Sequence, residues 1–256
     1  MFVSDLIFDL YGTLVDIHTE ESALVWEKCA LFFRFHGAPY TADALQKAFR
    51  AELRKQEAKE GQSYECFPDI PFEQVLAILF RQKGVTEQAE SLAFAAAQLF
   101  RICSIEYLRL YPGVLDALQA LRKAGYRLHL LSNAQRVFTA YELQSLGLGS
   151  QFDSVYLSSD YRCRKPDARF YSALLHGQGL KAENCMMVGN DRMTDILGAK
   201  STGMATFYMH TALTPADQPP ADPALHPDAA APDCRHFEFE GDDWTAITPL
   251  LLKMRR

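Results

Sequence analysis

The sequence predicts an α/β protein in which a doubly wound parallel sheet carries an inserted all-helical domain. Two observations support this fold class. Residues 1–15 and 111–256 alternate strand-like apolar runs with helix-like stretches, as parallel sheets do. Residues 16–110 show helical periodicity instead, and this block is far longer than a loop. We therefore expect two domains, an α/β core from residues 1–15 and 111–256 and a helical domain from residues 16–110.

The first strand is an apolar run that contains one carboxylate. It reads Leu6-Ile7-Phe8-Asp9-Leu10, and Tyr11-Gly12-Thr13 then gives a turn signal. A short apolar run bounded by a turn is typical of a buried strand. A carboxylate is costly to bury without a partner, so Asp9 is a candidate functional residue.

Four helices are predicted in the block that follows. The spacing i, i+3, i+4, i+7 and i+8 marks one apolar helix face, formed by Phe72, Val75, Leu76, Leu79 and Phe80. The first two predicted helices are residues 19–36 and 41–59, and the third begins at Phe72. The fourth has its apolar face at residues 92–103, with Thr86 as the expected N-cap and Glu87 in the first turn.

From Tyr111 onward strands and helices alternate. The predicted strands are residues 126–131, 152–157, 185–188, 205–208 and, at an edge, 236–240. The predicted helices are residues 114–124, 138–146, 167–176, 195–201 and 243–253. Residues 211–232 are rich in Ala, Pro and Asp and show no periodicity, so we expect a surface loop.

Composition excludes several classes of protein. Acidic residues outnumber basic ones by 32 to 26, which argues against a broad nucleic-acid surface. The six cysteines form no CxxC pair, so neither a zinc knuckle nor a disulfide scaffold is indicated. No apolar run is as long as a membrane span, and the early acidic residues argue against a signal peptide. We expect a cytoplasmic protein that binds neither nucleic acid nor membranes; its oligomeric state is left open.

Polar residues follow four of the predicted strands. In open parallel sheets ligands bind beyond the carboxyl ends of the strands, so these residues are expected to converge. They are Asp9, then Ser132 and Asn133, then Lys165, and then Asn190, Asp191 and Asp195. Arg162 and Arg164, just before Lys165, are expected to be solvated. Hard oxygen ligands, a hydroxyl and an ammonium are what a phosphate and Mg²⁺ require.

These strand ends resemble the four motifs of the haloacid dehalogenase superfamily of hydrolases. The matching segments, in order, are Phe8-Asp9-Leu10-Tyr11-Gly12-Thr13-Leu14-Val15-Asp16, Leu130-Leu131-Ser132-Asn133, Arg164-Lys165-Pro166-Asp167 and Val188-Gly189-Asn190-Asp191-Arg192-Met193-Thr194-Asp195-Ile196-Leu197-Gly198-Ala199. The resemblance extends to about Tyr208. It also implies a Rossmann-like core and places the helical domain where the family has its mobile cap.

The resemblance implies a site as well as a fold. Asp9 would attack the substrate and form a covalent aspartyl intermediate, Ser132 would hydrogen-bond a transferring oxygen, and Lys165 would neutralise charge. It implies Asn133 and Thr13 as substrate-binding residues and a small phosphorylated metabolite as substrate. The implied ligands of Mg²⁺ are Asp9, the main-chain carbonyl of Tyr11, Asn190, Asp191 and Asp195.

Two positions depart from the phosphatases of this family. Those enzymes usually have an acid-base Asp where this chain has Tyr11, and a metal-binding Asp where it has Asn190. Tyr at the first position resembles the 2-haloacid dehalogenases, because carbon–halogen cleavage needs no protonated leaving oxygen. At the position of Asn190, there are two alternatives: Asp191 takes the place of the missing metal-binding Asp, or Asn190 itself binds the metal through its amide oxygen. Three hypotheses remain: a Mg²⁺-dependent phosphatase, a dehalogenase-type hydrolase, and a weakly active phosphometabolite-binding protein.

Overall fold

The structure, a computed structural model, describes residues 3–61, 66–216 and 235–254 of the chain. The strands are β1 (Asp5–Phe8), β2 (Val15–Thr19), β3 (Ile105–Leu110), β4 (Arg127–Ser132), β5 (Ser154–Leu157), β6 (Cys185–Gly189), β7 (Ala205–His210) and β8 (His236–Glu240). The α-helices are α1 (Ala23–Phe35), α2 (Ala42–Glu60), α3 (Phe72–Gln82), α4 (Ala89–Ser104), α5 (Val114–Lys123), α6 (Arg136–Ser145), α7 (Ser158–Tyr161), α8 (Ala168–Gly177), α9 (Gly198–Ser201) and α10 (Trp244–Lys253).

Six strands form one parallel sheet in the order β5-β4-β1-β6-β7-β8. β1 lies inside this sheet, and alternate residues of β1 face opposite sides. Phe8 packs in one hydrophobic cluster with Trp244 of α10, whereas Ile7 packs in another with Phe170 of α8. Helices therefore cover both faces, and the predicted doubly wound α/β fold is confirmed, with β8 at an edge.

A buried polar group anchors β1 at the end of the sheet away from Asp9. Asp5 accepts a hydrogen bond from Arg127 (Nε–Oδ1, 2.6 Å) and lies 3.2 Å from Nε2 of His129. Burial alone raises the pKa of the Asp5 carboxyl, but the bonds from His129, Ser4 and Arg127 outweigh it and lower the pKa below its usual value. The carboxylate thus fixes β1 against β4.

Helices α1–α4, called here the helical unit, enclose a hydrophobic core of their own. Trp26 and Phe33 of α1 belong to it, and the Phe33 ring stacks on Phe80 of α3 at 3.8 Å. α4 has Gln88 as its N-cap rather than the predicted Thr86. The Thr86 carbonyl accepts a hydrogen bond from the Ala89 N–H, so residues 86–89 form a turn before the helix.

The block from residue 16 to 110 is not helical throughout, contrary to the prediction. β2 and β3 pair as a two-stranded antiparallel ribbon, with Val15 opposite Leu110 and a register shift between His18 and Thr19. Much of the ribbon is exposed, so its residues lack the long apolar run of a buried strand. The ribbon connects the sheet to the helical unit at both of the unit's ends.

The segment after β6 also differs from the prediction. A helix was expected from Asp195 to Ser201, but helical structure begins at Arg192 with a π-helical stretch, Arg192–Leu197, before α9. The Asp191 carboxylate sets this earlier start. Its Oδ1 accepts hydrogen bonds from the N–H groups of Met193 (2.8 Å) and Thr194 (2.9 Å), as an N-cap does.

Of the predicted surface loop, residues 211–216 form neither helix nor strand, and residues 217–232 lie outside the described residues. Five cysteines are described, and all are free thiols, whereas Cys234 lies outside the described ranges. Within those ranges no helix combines the length and the apolar character that crossing a bilayer requires.

Candidate active site

Asp9 directly follows β1 at the carboxyl edge of the sheet. Its N–H donates to the carbonyl of Val188 in β6 at 3.0 Å, so the neighbouring strand fixes its backbone. Its side chain is 11% exposed. The carboxylate therefore lies at the edge where a parallel sheet binds ligands.

Lys165 lies between two carboxylates. Its Nζ donates to Oδ1 of Asp9 at 2.7 Å and to Oδ1 of Asp195 at 2.6 Å, and its side chain is only 1% exposed. Burial lowers the pKa of the ammonium, but Asp195 and Asp9 outweigh burial and raise the pKa above its usual value. Lys165 therefore keeps its positive charge beside Asp9.

The two oxygens of Asp9 have different surroundings. Ser132, the last residue of β4, donates from Oγ to Oδ1 of Asp9 at 3.2 Å, and Lys165 donates to the same oxygen. In the described part of the chain, no donor contacts Oδ2. The contacts thus orient the carboxylate through one oxygen and leave the other for a ligand.

Asp195 has no oxygen without a donor. Its Oδ1 accepts from Lys165, and its Oδ2 accepts from the N–H groups of Asn190 (3.1 Å) and Asp191 (3.0 Å). The carboxylate also occupies the space that a Cβ at Gly189 would need. Burial raises the pKa of the Asp195 carboxyl to about 7, with Lys165 opposing the shift and Asp9 adding to it. This arrangement suits the anchoring of Lys165 better than the metal ligation implied for Asp195.

The two implied substrate-binding residues have protein partners instead. Asn133 Nδ2 donates to the main-chain carbonyl of Lys165 at 3.0 Å, and Asn133 Oδ1 accepts from the Lys165 N–H at 2.7 Å. Asn133 thus fixes the backbone of Lys165. Thr13 is fully buried and donates to Oδ1 of Asn190 at 3.3 Å. The structure therefore places Thr13 behind the site, where it holds Asn190 and is closed to substrate.

Asp9, Ser132, Asn133 and Lys165 line a cavity of ≈ 170 Å³, which we call the nucleophile cavity. Its wall is completed by Tyr11, Asn190, Asp191, Thr194, Asp195, Leu213 and Pro215. Three of the lining side chains are carboxylates and one is an ammonium. A phosphate would add further negative charge here, so a divalent cation would improve the electrostatic balance.

Oxygen atoms that could bind such a cation are present, although few of them are charged. Among the described residues, no group of three or more His, Cys, Asp or Glu side chains is arranged to hold a metal ion. The nucleophile cavity is nevertheless lined by Asp9, Asn190 and Asp191, whose oxygens are of the hard type that Mg²⁺ prefers. Mg²⁺ commonly keeps several waters and takes one or two carboxylates, so this donor set fits that ion.

The Tyr11 hydroxyl points away from Asp9 and into a buried network. It donates to Oε2 of Glu142 in α6 and lies 2.9 Å from Oγ1 of Thr139. Arg101 of α4 donates from Nε to Oε1 of Glu142 at 2.6 Å. Burial, followed by the charge of Glu142, raises the pKa of the Tyr11 hydroxyl. The Tyr11 hydroxyl is therefore engaged by Glu142, and Glu142 in turn joins the core to Arg101 of the helical unit.

A larger cavity of ≈ 390 Å³, the adjoining cavity, shares Tyr11 and Asn133 with the nucleophile cavity. Both parts of the protein contribute to its wall, which also includes Ile17, Thr19, Asp69, Arg101, Ala134, Gln135, Phe138, Thr139 and Arg164. Of the two arginines expected to be solvated, Arg162 pairs with Glu60 at 2.6 Å, whereas Arg164 lines this cavity.

Sequence reasoning missed Glu142, Thr139 and Arg101. Glu142 and Thr139 lie on the inner face of α6, which is short and has no sharp apolar stripe, and Arg101 lies in the last turn of α4, where a basic residue is favoured in any helix. The available signal is that Glu142 is the only charged residue of the predicted helix 138–146.

Comparisons with known proteins all point to one family of hydrolases. A family model described as haloacid dehalogenase-like hydrolase matches residues 6–203. The glyceraldehyde 3-phosphate phosphatase of Methanothermobacter thermautotrophicus is 28% identical over 215 residues, covering 83% of this chain and 88% of the relative. The phosphoglycolate phosphatase of Agrobacterium fabrum is 30% identical over 145 residues, covering 57% of this chain and 56% of the relative.

Solved structures show the same fold. The 2-haloacid dehalogenase of Pseudomonas syringae pv. Tomato DC3000 aligns with a TM-score of 0.65 at 19% identity, covering 98% of this chain and 99% of that one. A HAD phosphatase from Thermococcus onnurineus aligns with a TM-score of 0.54 at 18% identity, covering 97% and 98%. Together with the match of the family model over most of the sequence, this shows that the chain belongs to the haloacid dehalogenase-like hydrolases.

Proposed function

We propose that this hydrolase is a Mg²⁺-dependent phosphatase of a small phosphorylated metabolite, with Asp9 as its nucleophile. The observation that carries the proposal is the arrangement around Asp9. Lys165 and Ser132 both hold Oδ1, which leaves Oδ2 directed to a ligand in the nucleophile cavity. Several relatives with similar sequences are phosphatases, including those named for glyceraldehyde 3-phosphate and phosphoglycolate.

The proposed reaction has two steps. Oδ2 of Asp9 attacks phosphorus as the ester P–O bond breaks, which gives an aspartyl phosphate and an alkoxide that takes a proton from water. Water then attacks the aspartyl phosphate, releasing inorganic phosphate and restoring Asp9. The Lys165 ammonium offsets the repulsion between the carboxylate and the phosphoryl oxygens throughout, and Asp195 keeps it in place.

Mg²⁺ would be held by Asp9, Asn190, Asp191 and the main-chain carbonyl of Tyr11. When bound, it supplies positive charge beside a cluster in which carboxylates outnumber ammonium groups. Asp195 is left out of this set because its two oxygens accept three protein hydrogen bonds, at 2.6, 3.1 and 3.0 Å, whereas Asn190 Oδ1 accepts a single bond from Thr13 at 3.3 Å. Its role in the proposal is to position Lys165.

The helical unit acts in this proposal as a cap over the site, with the domain division at residues 15/16 and 110/111. The Asp69 carboxylate before α3 accepts a hydrogen bond from Gln135 at 2.7 Å, and Arg101 of α4 binds Glu142. These contacts join the unit to the core around the adjoining cavity. A cap in this position would exclude water from the reaction and select the substrate.

One observation favours a second candidate, hydrolysis of a carbon–halogen bond. The Tyr11 hydroxyl is engaged by Glu142, so the position that usually donates a proton to a leaving oxygen donates none to a ligand. Halide leaves without a proton, and general acid–base catalysis contributes about 10²–10⁴-fold to reactions that need it. A phosphatase with this site is therefore expected to prefer good leaving groups.

The test measures phosphate release from p-nitrophenyl phosphate and a panel of phosphometabolites, with Mg²⁺ and with EDTA. Asp9→Asn is the catalytic control, and halide release from 2-chloropropionate is measured in parallel. Phosphate release that needs both Mg²⁺ and Asp9 supports the proposal. Halide release that persists in EDTA, without phosphate release, would establish the second candidate instead. Ligand binding without either product would indicate a binding protein.

A further inference from the structure

The adjoining cavity is where the non-reacting part of a substrate bound at Asp9 would lie. It borders the nucleophile cavity at Tyr11 and Asn133, which line both. Its volume of ≈ 390 Å³ is at the lower end of the range for small-molecule sites. The charges on its wall therefore decide which substrate class it accepts.

Most of the charged groups on this wall are already satisfied by the protein. Arg101 is paired with Glu142, at 2.6 Å between Nε and Oε1. Asp69 accepts hydrogen bonds from Ser158 and from Gln135, the latter at 2.7 Å. Burial raises the pKa of the Asp69 carboxyl, and the charge of Arg164 is among the effects that oppose this shift, although the two side chains form no ion pair. Arg101 and Asp69 therefore both have protein partners on this wall.

Arg164 is the exception. Its side chain is exposed and lines the cavity, and in the described ranges of the chain no carboxylate forms an ion pair with it. Its backbone is held on both sides, because its N–H donates to the carbonyl of Phe67 at 2.8 Å and its carbonyl accepts from the N–H of Asp167 at 2.9 Å. The cavity thus offers a free guanidinium on a fixed backbone.

We propose that Arg164 binds a carboxylate of the substrate, so that the preferred substrates are short phosphorylated carboxylic acids. This inference rests on the proposed phosphatase function and specifies its substrate. A guanidinium binds a carboxylate through two parallel hydrogen bonds. One unpaired guanidinium matches one carboxylate in charge, whereas a second phosphate dianion would exceed it.

The position of Arg164 in the chain limits the length of the substrate. It directly precedes Lys165, whose ammonium contacts the nucleophile, and consecutive Cα atoms lie about 3.8 Å apart. Carboxylate and phosphate are therefore bound from neighbouring points of the backbone, Lys165 serving the nucleophile cavity and Arg164 the adjoining one. We expect phosphorylated acids of about two to four carbons, counting the carboxylate carbon.

The test compares esters that differ only by the carboxylate: 2-phosphoglycolate with ethyl phosphate, and 3-phosphoglycerate with glycerol 3-phosphate. The ratio of kcat/KM within each pair is measured for the wild type, Arg164→Gln, Arg164→Lys and the matched control Arg162→Gln. Arg162 also precedes Lys165, but it pairs with Glu60 and does not line the adjoining cavity.

We expect the wild type to prefer the carboxylate esters by at least about 10-fold, the range for a charge-assisted contact. Arg164→Gln should remove this preference, Arg164→Lys should keep part of it, and Arg162→Gln should keep it. A wild type without the preference, or a preference that survives Arg164→Gln, would overturn the inference.

A second measurement separates this inference from the proposed function. The same esters are titrated by calorimetry into Asp9→Asn and into Asp9→Asn carrying Arg164→Gln. If no ester is hydrolysed by the wild type, the phosphatase proposal fails. Tighter binding of the carboxylate esters that disappears with Arg164→Gln still supports Arg164 as the carboxylate site, and equal binding of both members of each pair overturns it.

Discussion

Breaking the ion pair between Arg101 and Glu142 is expected to destabilise the protein by about 3 kcal/mol. The Glu142 side chain is 6% exposed and that of Arg101 is 18% exposed, and Glu142 also accepts the Tyr11 hydroxyl. Removing one partner of a buried pair costs about 3–5 kcal/mol, because the other charge stays buried without compensation. Glu142→Gln retains one acceptor oxygen, and Arg101 keeps some contact with water, so the lower end of this range applies.

The loss of stability should depend on whether the other charge of the pair is left behind. Arg101→Met alone leaves the Glu142 carboxylate buried, whereas the double variant Arg101→Met/Glu142→Gln leaves no unpaired charge. The double variant is therefore expected to lose about 2 kcal/mol less than the sum of the two single variants, which is the coupling typical of residues in one network.

Urea unfolding measures these values, and the two tryptophans report on different parts of the protein. Trp26 lies in the core of the helical unit, and Trp244 lies against the sheet. The single-tryptophan variants Trp26→Phe and Trp244→Phe separate the two signals. In the Glu142→Gln variant, the unfolding transition that Trp26 reports should have its midpoint at a lower urea concentration than the transition that Trp244 reports. A loss below about 1 kcal/mol, or strictly additive single variants, would refute the reasoning.

Three further predictions concern single positions. Gly189→Ala should lower kcat at least about 100-fold with the fold retained in circular dichroism, because its Cβ needs the space of the Asp195 carboxylate; unchanged kcat would contradict this role. Tyr11→Phe should reduce kcat less than about 10-fold but lower the free energy of unfolding by about 1 kcal/mol, since its hydroxyl binds Glu142 and not substrate; abolished turnover would make it a proton donor after all. Asp5→Asn should destabilise the protein more at pH 7 than near pH 3: the pKa of Asp5 is lowered in the folded protein, so its stabilisation is present above the ordinary pKa and decreases as the pH falls towards the folded value. Urea titrations at both pH values check this, and an equal loss at both would count against it.

The sequence predicts the sheet well because its signals are local. Each predicted strand of the sheet is a short apolar run that ends at a turn, as is typical of parallel strands buried on both faces. The structure then shows that β1 pairs with β4 and β6. The residues after these strands, Asp9, Ser132 and Lys165, then meet because the strand ends share one edge. That these residues lie close together can therefore be predicted without knowing the contacts of side chains elsewhere in the protein.

Other features depend on contacts that no local pattern encodes. The hydroxyl of Tyr11 binds Glu142, which lies 131 positions away. Thr13 was assigned to substrate from its motif, but burial against Asn190 closes it to ligands. The sequence does not predict the β2–β3 ribbon, which borders the helices of the block expected to be helical, because its apolar residues are few and its stability comes from pairing across the insertion.

The β2–β3 ribbon also bears on how such proteins diversify. Val15 and Leu110 face each other across the ladder, and Cα atoms of facing residues in antiparallel strands are about 4.5–5.5 Å apart. The chain thus leaves and re-enters the core at almost the same point. Two strands so placed can be closed by a turn of about two residues or extended by an insert of any length. An insert at this point can therefore be replaced without any change in the six-stranded sheet, so the residues at the carboxyl edge of the sheet, Asp9 among them, would stay in place.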